Sequence, residues 1–406
     1  MLLKLAWRNL WRNKRRTFIT LMSVFFAVIL SIATMGIKKG LYNRLIKNLT
    51  ETYSGYAQIH ARGFWEEQVL DNSMLWNDSV INYLQANKRL KFFTPRIESF
   101  VFVAGEKTSK GAFLIGVDAE NEIKTTHLNK RVIRGTFLSD KSSGVLLGDR
   151  LAKTLSLKPG DTLVVLGQGY HGASAAGKFP VKGLIKLPLP ELNAEVVFMS
   201  LKDAMQLFDM ENRVSSVVLI PDKPDQTQSI INQMSAEIKK ENEVMTWVEM
   251  YPEIQNLIDA DTVEGYVLMF VLYLIITFGI FGAMLMMLSE RAHEFGILVA
   301  IGMKPWKLGL IVISETLIIS LAGAIAGCIA AYPIMYWFYI YPVKLDVQDE
   351  MAEIYEDFGF EPIIQTSISP DLFFDQTLIV FFIAEVISLY PFFKLIRLDA
   401  LKSMRK

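Results

Sequence analysis

Cysteine and histidine are scarce in this sequence, and their scarcity excludes several kinds of site. The 406 residues include one cysteine, Cys328, and four scattered histidines. A single cysteine allows neither an internal disulfide nor a cysteine metal cluster. No histidine belongs to a His-Glu-x-x-His pattern, and the chain has no Gly-x-Ser-x-Gly pattern. We therefore expect no metal site and no hydrolytic site, and any soluble part must fold by its hydrophobic core alone.

The chain also lacks an excess of charge of either sign. Its 42 Lys and Arg residues balance its 42 Asp and Glu residues, which gives no reason to expect nucleic acid as a partner. Hydrophobic residues make up 51% and charged residues 21% of the chain. This composition is too apolar for a plain soluble protein and too charged for a chain lying wholly in a membrane. A membrane protein with a soluble insert satisfies both observations.

Four long apolar segments predict membrane helices, at residues 17–37, 265–289, 308–341 and 375–393. The first follows basic residues, as a signal peptide does, but it has no small-residue cleavage site and predicts a retained span. The expected fold class is therefore a polytopic α-helical membrane protein with four transmembrane helices. A large α+β extracytoplasmic domain, residues 38–264, would lie between the first and second helices.

The positions of the basic residues predict the orientation in the membrane. Residues 1–16 contain six Lys or Arg and no acid, and the link 290–307 and the tail 394–406 are also basic. The loop 342–374 contains one base and eight acids. By the positive-inside rule, both termini and the link lie in the cytoplasm, while the acidic loop and residues 38–264 lie outside. Lys38 and Lys39 are a local exception to this rule.

Residues 1–16 predict a helix lying in the cytoplasmic interface of the membrane. Trp7 and Trp11 would sit at headgroup level, with the basic residues on the opposite side. The alternative is a basic flank that only sets the topology.

Within residues 38–264, alternating runs near turn residues predict short strands, and periodic runs predict helices. The expected architecture is an α/β subdomain interrupted by a β-rich insert between Arg134 and Leu192. The strands are expected at Tyr56–His60, Phe100–Val103, Ala112–Val117, Thr162–Leu166 and Val214–Ile220, and the helices at 145–157, 200–210 and 226–241.

The link 290–307 reads as a short helix between the second and third spans. Phe295, Leu298 and Val299 recur at helical spacing. Gly302 can end the helix, and the proline at position 305 prevents its continuation. On periodicity alone, an ordinary surface hairpin between membrane helices is also a valid interpretation.

The residue pattern of this link resembles that of a known family. Glu-Arg-x-x-Glu-x-Gly-x-x-x-Ala-x-Gly resembles the link after the second membrane helix of FtsX-like permeases. These are the membrane subunits of ABC systems such as the lipoprotein-releasing (Lol) permeases and the MacB-type exporters. In that family the link is a coupling helix that docks on a separate ATPase. The resemblance assigns this role to Glu290, Arg291, Glu294, Gly296, Ala300 and Gly302.

Motifs elsewhere extend the resemblance to all four spans and much of the outer domain, with gaps at 60–95 and 340–370. The outer domain is similar to the two-lobed periplasmic domain of Lol-type permeases, and it is too large for the smaller FtsX division proteins. The C-terminal part carries the family's ending, with Asp399 where proline is usual. The motifs are Gly135-x-Phe137, Gly144–Gly148, Leu157–Asp161, Phe179–Gly183, Glu315-x-Leu317, Gly323-x-x-x-Gly327 and Tyr390–Leu401.

The resemblance implies a non-catalytic permease subunit that works by mechanotransmission. ATP and Mg²⁺ would be bound by a separate ABC ATPase, present in two copies, and the permease itself would bind no cofactor. A second permease, identical or homologous, would complete a dimer. The outer domain implies release of lipoproteins from the outer leaflet of the bacterial inner membrane to a periplasmic acceptor. MacB-type export of peptides or small molecules, and a non-transporting receptor or scaffold, are the alternatives.

Two sets of residues inside the spans are candidates for function. Glu315 and Glu385 are the only charges in the third and fourth spans, and an acid within a membrane is a functional candidate. They could form a shared site or a proton relay, or each could be a structural anchor; a membrane enzyme would need both as catalysts. Acyl chains would contact residues of the first two spans, although these could equally face lipid; the candidates are Phe25, Met35, Met269 and Phe270.

One pattern imitates a nucleotide site. Residues 172–178 fit the first seven positions of a phosphate-binding loop, but Phe179 stands where Mg²⁺ coordination requires Ser or Thr. The residues that follow predict extended chain rather than a helix N-terminus. We therefore expect a glycine-rich hairpin or a mobile loop at this position.

Overall fold

The structure is a computed structural model, and it divides the chain into two compact units. It describes residues 2–12, 14–139, 142–188, 190–238, 241–344 and 363–396. We call the described residues of Met1–Asn43, Ile258–Leu345 and Ile363–Lys406 the helical unit. We call Arg44–Leu257 the α+β domain. Most of the predicted acidic loop, and Asp399 with the family ending around it, lie outside the described residues.

Both units contain α-helices. In chain order these are α1 (Leu2–Arg12), α2 (Lys14–Leu49), α3 (Phe64–Glu67), α4 (Asp78–Ala86), α5 (Ala119–Thr125), α6 (Asp149–Leu155), α7 (Pro190–Glu195), α8 (Leu201–Phe208), α9 (Thr227–Glu237), α10 (Trp247–Met250), α11 (Pro252–Glu290), α12 (Ala292–Ala300), α13 (Pro305–Ile340) and α14 (Pro370–Ile396).

Within the described residues, four helices are long and apolar enough to cross a membrane, as their length and composition indicate. They are α2, α11, α13 and α14, and each begins at least three residues before the predicted span. In the most apolar segment of each helix, 56% of the residues of α13 are buried, the largest share of the four, but only 22% of those of α11. Pro333 lies inside α13 and does not end it. The helical unit is therefore built around α13, and α11 keeps most of its apolar surface uncovered within this chain.

Glycines bring α13 against α2. A Cβ atom added at Gly323 would lie 2.9 Å from the carbonyl oxygen of Leu21, and one at Gly327 would lie 2.8 Å from that of Phe25. Both distances are shorter than side chains tolerate, so only glycine permits this approach. The Gly-x-x-x-Gly pattern thus serves packing within the chain.

Polar side chains connect the spans across long sequence separations. Lys38 Nζ on α2 lies 3.0 Å from the Asp261 carboxylate on α11, which gives the exceptional basic residue a partner. The Gln376 side-chain oxygen of α14 accepts hydrogen bonds from Ser31 and Tyr273, each at 2.5 Å. This second junction ties α2, α11 and α14 together, because buried polar groups require partners.

Ten strands of the α+β domain form one continuous mixed sheet. In chain order the strands of the whole chain are β1 (Ala57–Ala61), β2 (Met74–Leu75), β3 (Leu90–Ala104), β4 (Ser109–Val117), β5 (Val132–Gly135), β6 (Val145–Gly148), β7 (Thr162–Gln168), β8 (Ser174–Ile185), β9 (Val196–Ser200), β10 (Arg213–Val214), β11 (Ser216–Pro221), β12 (Asn242–Thr246), β13 (Val343–Lys344) and β14 (Ile363–Ile364). The ten-stranded sheet has the order β12-β1-β11-β3-β4-β9-β6-β8-β5, with β7 paired to β3 and β8. Strand β2 pairs with β10 in a separate two-stranded sheet.

Separate hydrophobic clusters lie along this sheet. One is formed by residues near both ends of the domain, including Ile59, Leu84 and Val217. Another is formed by the middle of the domain, including Leu114 and Val165. Strand β3 pairs with β4 in the antiparallel direction, and β4 pairs with β9 in the parallel direction. These pairings connect both parts of the domain in one sheet. This is the large α+β domain that the sequence predicted between the first and second spans.

The local predictions within the domain had mixed outcomes. All five expected strands overlap observed strands. The helix expected at 145–157 is wrong in its first turn, because Val145–Gly148 is the buried strand β6 and α6 begins only at Asp149. A run of buried apolar residues fits either structure, and pairing with β8 and β9 decides for the strand. The glycine-rich residues 172–178 belong to the β7–β8 hairpin, as expected.

A buried histidine stabilises the edge of this domain by packing. His60 on β1 stacks against Phe64, with ring centroids 5.6 Å apart, and is also in contact with Trp65. Its Nε2 atom lies 2.8 Å from the Gln58 side-chain oxygen. Burial lowers the pKa of His60 to about 3, so the ring is neutral near pH 7.

Candidate functional site

The link between α11 and α13 is a short helix with well-defined ends. Arg291 precedes α12, and Gly302 follows it with a φ of 103°. The Gly302 amide donates to the Val299 carbonyl and the Met303 amide to the Leu298 carbonyl, both at 3.0 Å. This is a Schellman motif, which favours glycine at that position. The expected helix end at Gly302 is present in the structure.

The buried face of α12 packs on the ends of the neighbouring spans. Phe295 is 2% exposed and clusters with Leu288, Leu308 and Leu395, which belong to α11, α13 and α14. Leu298, Val299 and Met303 cover the edge of the same cluster. The helix is therefore fixed to the helical unit by its apolar side, as the periodicity predicted.

Arg291 and Glu315 form a buried ion pair between this link and α13. Arg291 Nη1 donates to Glu315 Oε2, and the two side chains are 5% and 2% exposed. Asn9 of α1 donates from Nδ2 to the other Glu315 oxygen at 2.7 Å. Ion pairs shielded from water depend on such additional hydrogen bonds. One carboxylate thus holds α1, the link and α13 together.

The network continues from this buried pair to the surface. Arg291 Nε lies 3.7 Å from Glu294 Oε2 and makes no hydrogen bond with any described residue. Arg12 of α1 donates to the same Glu294 oxygen at 2.7 Å, and these side chains are 60% and 44% exposed. The charges therefore alternate from Glu315 through Arg291 and Glu294 to Arg12. A change at the exposed end can reach the buried pair through the shared carboxylate.

The outer side of the link carries exposed apolar side chains. Ile297 is 41% exposed, Ile301 is 79% exposed and Trp306, at the start of α13, is 48% exposed. Ile297 and Ile301 are four residues apart and so share one face of the helix. Sequence reasoning missed this face, although the spacing of these isoleucines opposite Phe295 carried the signal. Exposed apolar side chains in one place are candidates for contact with a partner protein or with lipid.

The predicted coupling residues divide between the two faces. Arg291 and Gly296 are buried, whereas Glu290, Ala300 and Gly302 are exposed. In this conformation, Arg291 and Gly296 can affect a partner only through neighbouring residues. The structure therefore separates positions that could touch a partner from positions that fix the link in place.

Comparisons with known proteins identify the family of the chain. The model of the FtsX-like permease C-terminal region matches residues 266–400, and that of the MacB-like periplasmic core domain matches residues 17–237. The chain belongs to the FtsX-like and MacB-type permease family. It is an ABC-type permease, and permeases of this family work with ABC ATPase partners.

The solved structures that resemble the chain include the following two, and no curated protein matches the sequence. One is the extracellular domain of the ABC-type transporter YknZ from Gram-positive bacteria, with 15% identity and a TM-score of 0.33 over 47% of this chain and 99% of that one. The other is the periplasmic region of MacB from Actinobacillus actinomycetemcomitans, with 16% identity and a TM-score of 0.36 over 52% of this chain and 98% of that one.

The two acids in the spans of the permease have different partners. Glu315 contacts Arg291 and Asn9, whereas Glu385 on α14 accepts a hydrogen bond from Ser320 of α13 at 2.6 Å. The structure thus gives Glu385 a neutral hydroxyl partner and Glu315 a cation. Sequence reasoning missed the partners, because they are far away along the chain.

The four acyl-chain candidates of the permease differ in their surroundings. Phe270 is 65% exposed, Met269 is 4% exposed, and Phe25 and Met35 are half-buried. Exposed apolar residues also extend along α11 beyond these positions. They are Leu257, Val263, Tyr266, Val267, Leu268, Val271, Leu274, Ile275, Phe278 and Met286.

Proposed function

We propose that this permease releases lipoproteins from the outer leaflet of a bacterial inner membrane, driven by a separate ATPase through mechanotransmission. The observation that supports coupling best is the shared Glu315 carboxylate, which contacts Arg291 of the link and Asn9 of α1. A displacement of α12 would change these contacts directly. Both termini and the link would be cytoplasmic, and the α+β domain periplasmic.

Docking of the partner would use the apolar face of the link. Ile297, Ile301 and Trp306 offer exposed apolar area next to the Arg12–Glu294 ion pair, and such area stabilises association when it is buried. Two ATPase copies would bind ATP and Mg²⁺ and would engage two permeases, identical or homologous. The permease would contribute contacts and positioning, and no catalytic group.

Movement would pass to the α+β domain through α2 and α11, which precede and follow it in sequence. Within the helical unit, these helices are held together by the Lys38–Asp261 pair and by the Gln376 junction with Ser31 and Tyr273. Such pairs resist independent sliding of the helices, so that α2 and α11 would move as one body.

Lipoprotein as the substrate is supported by the uncovered apolar surface of α11. Phe270 and Phe278 are each 65% exposed, and a surface of this kind suits contact with acyl chains. Phe25, Met35, Met269 and Phe270 remain the proposed contact positions. MacB-type export of peptides or small molecules is the second candidate, because the MacB-like core domain model matches residues 17–237.

The test is affinity purification of the permease from its native membrane, followed by mass spectrometry of proteins and acylated peptides. We expect an ATPase and lipid-modified peptides. Ile301→Asp should reduce recovery of the ATPase at least about tenfold, because burying an unpaired charge opposes association. Ile133→Asp, at a 51% exposed isoleucine of the α+β domain, is the matched control and should leave recovery unchanged.

The outcomes separate the parts of the proposal. An ATPase without acylated peptides would contradict lipoprotein as the substrate and favour small-molecule or peptide export. Equal recovery from both variants would contradict docking on the Ile297–Ile301 face. Absence of any ATPase would overturn the coupling mechanism.

A further inference from the structure

The α+β domain contains a cavity of about 950 Å³ that the coupling mechanism does not use. Its walls are largely apolar and include aromatic rings from separate elements. Phe64 and Trp65 come from α3, Phe100 from β3, and Phe113 from β4. The volume is at the upper end of the range of roughly 300–1,000 Å³ for sites that bind small molecules.

Among the described residues, every charged side chain that lines this cavity is acidic. This part of the lining contains no lysine, arginine or histidine, and its glutamates are Glu66, Glu98, Glu195, Glu249 and Glu253.

Two of these acids have basic neighbours that are not part of the lining. Arg96 lies 3.5 Å from Glu98, and Lys110 lies 3.5 Å from Glu195. The Glu249 carboxylate accepts hydrogen bonds from the Thr246 amide and hydroxyl in the capping box of α10. The other three, Glu66, Glu249 and Glu253, have no basic partner among the described residues.

Glu98 is the most enclosed of the five acids. Its side chain is 14% exposed, and its Oε1 atom is shielded from solvent and accepts no hydrogen bond from the described residues. Because an enclosed carboxylate is only weakly screened by solvent, its field acts across the cavity. The cavity thus combines aromatic walls with a negative potential.

We propose that this cavity binds an amphiphilic amine, meaning an ammonium group on an aliphatic or aromatic body. The ammonium would be attracted by the carboxylates and by the ring faces of Trp65 and Phe64. The apolar body would be removed from water against the leucine and methionine side chains of the wall, such as Leu49 and Met250. A carboxylate or phosphate group would be repelled. This inference does not depend on the coupling mechanism or on the lipoprotein substrate.

The experiment compares two probes of nearly the same shape, 4-phenylbutylamine and 4-phenylbutanol. Binding to the full-length permease in phosphatidylcholine nanodiscs is measured by calorimetry, and the heat with empty nanodiscs is subtracted to remove lipid partitioning. We expect the amine to bind at least about tenfold more tightly than the alcohol. Equal affinities, or no binding of the amine, would overturn the proposal.

Substitutions locate the site. The double variant Glu66→Gln and Glu253→Gln changes two exposed lining acids, so its effect on folding should be small. It should weaken amine binding several-fold and leave alcohol binding unchanged. Glu98→Gln tests the enclosed acid and should act in the same direction. Glu106→Gln, at an exposed acid outside the lining, should have no effect; a loss there equal to that of the double variant would refute this location.

Discussion

Each unit of the permease contains a buried pair of arginine and glutamate, and the two pairs differ in their surroundings. Arg96 and Glu122 in the α+β domain are 1% and 0% exposed. Arg291 and Glu315 in the helical unit are 5% and 2% exposed. Burial alone therefore does not distinguish them. The difference lies in where the remaining hydrogen-bonding groups of each pair find partners.

We call the pair in the α+β domain closed, because its additional partners are fixed neighbours of the same domain. Arg96 also donates to the Tyr53 carbonyl oxygen at 2.6 Å, and Glu122 accepts from the Thr126 hydroxyl at 2.7 Å. Burial would lower the pKa of Arg96, but the carboxylates of Glu122 and Glu98 raise it above its usual value. Burial raises the pKa of Glu98 in turn. Each group of this pair thus depends on fixed neighbours of the same domain.

We call the pair in the helical unit open, because one of its groups lacks a hydrogen bond among the described residues and its network extends to the surface. Arg291 Nε has no hydrogen-bond partner among the described residues, and its second carboxylate, Glu294, is 44% exposed. Asn9 and Arg12 approach the network from α1, which is a separate element. We infer that the closed pair stabilises one arrangement, whereas the open pair can exchange partners when the link moves. Substitutions can break this comparison or sharpen it.

The largest effect is expected from Glu122→Gln. This change leaves the Arg96 guanidinium buried without its closest carboxylate, and only Glu98, at 3.5 Å, stays beside it. The loss of stability should therefore be about 3–5 kcal/mol. Hydrogen exchange of peptides from β3 in the full-length permease measures it, and protection should fall at least about 100-fold. Glu120→Gln, at an exposed acid on the same helix, is the control. A fall of less than twofold in Glu122→Gln would show that the closed pair is not a stabilising centre.

Glu315→Gln should cost less stability than Glu122→Gln, but it should strongly reduce stimulation of the partner ATPase. The amide still offers an oxygen to Asn9, and Glu294 remains beside Arg291, so stability should fall by only about 1–3 kcal/mol. Stimulation of the partner ATPase should fall about tenfold, because the link loses its charged contact with α13. Glu385→Gln, which replaces the acid paired with the Ser320 hydroxyl, should retain stimulation. If the two variants behave alike, Glu315 has no special role in coupling.

The sequence predicts the local parts of this site well and its long-range parts poorly. Helical spacing identifies the buried side of α12 at Phe295, and the glycine at 302 identifies its end, because both depend on neighbouring residues. Glu315 is visible as a charge in an apolar span. Its contact with Asn9 is not predictable, because 306 positions separate them and no periodicity relates residues at that distance.

The same limit applies to the fold. The four spans follow from composition, and the expected strands follow from alternation, but β3 runs through Pro95 from Leu90 to Ala104. Pairing with β4 and β11 holds it extended despite the missing amide. Lys38 is an exception to the positive-inside rule, and only the structure shows that its partner is Asp261, 223 positions away. Tertiary contacts decide these cases and local patterns do not.

The smallest effect is expected at the exposed end of the open network. Arg12 and Glu294 are 60% and 44% exposed, and water screens a pair of this kind. A double-mutant cycle with Arg12→Gln and Glu294→Gln should give a coupling energy of about 0.2–1 kcal/mol, measured by unfolding of the full-length permease. Raising the salt concentration to about 1 M should reduce it further, because the screening length becomes about 3 Å. A coupling energy above about 2 kcal/mol that salt does not change would mean that this end is as enclosed as the Arg96–Glu122 pair. The two pairs would then not differ in their surroundings, and the link would not be held by contacts that can be exchanged.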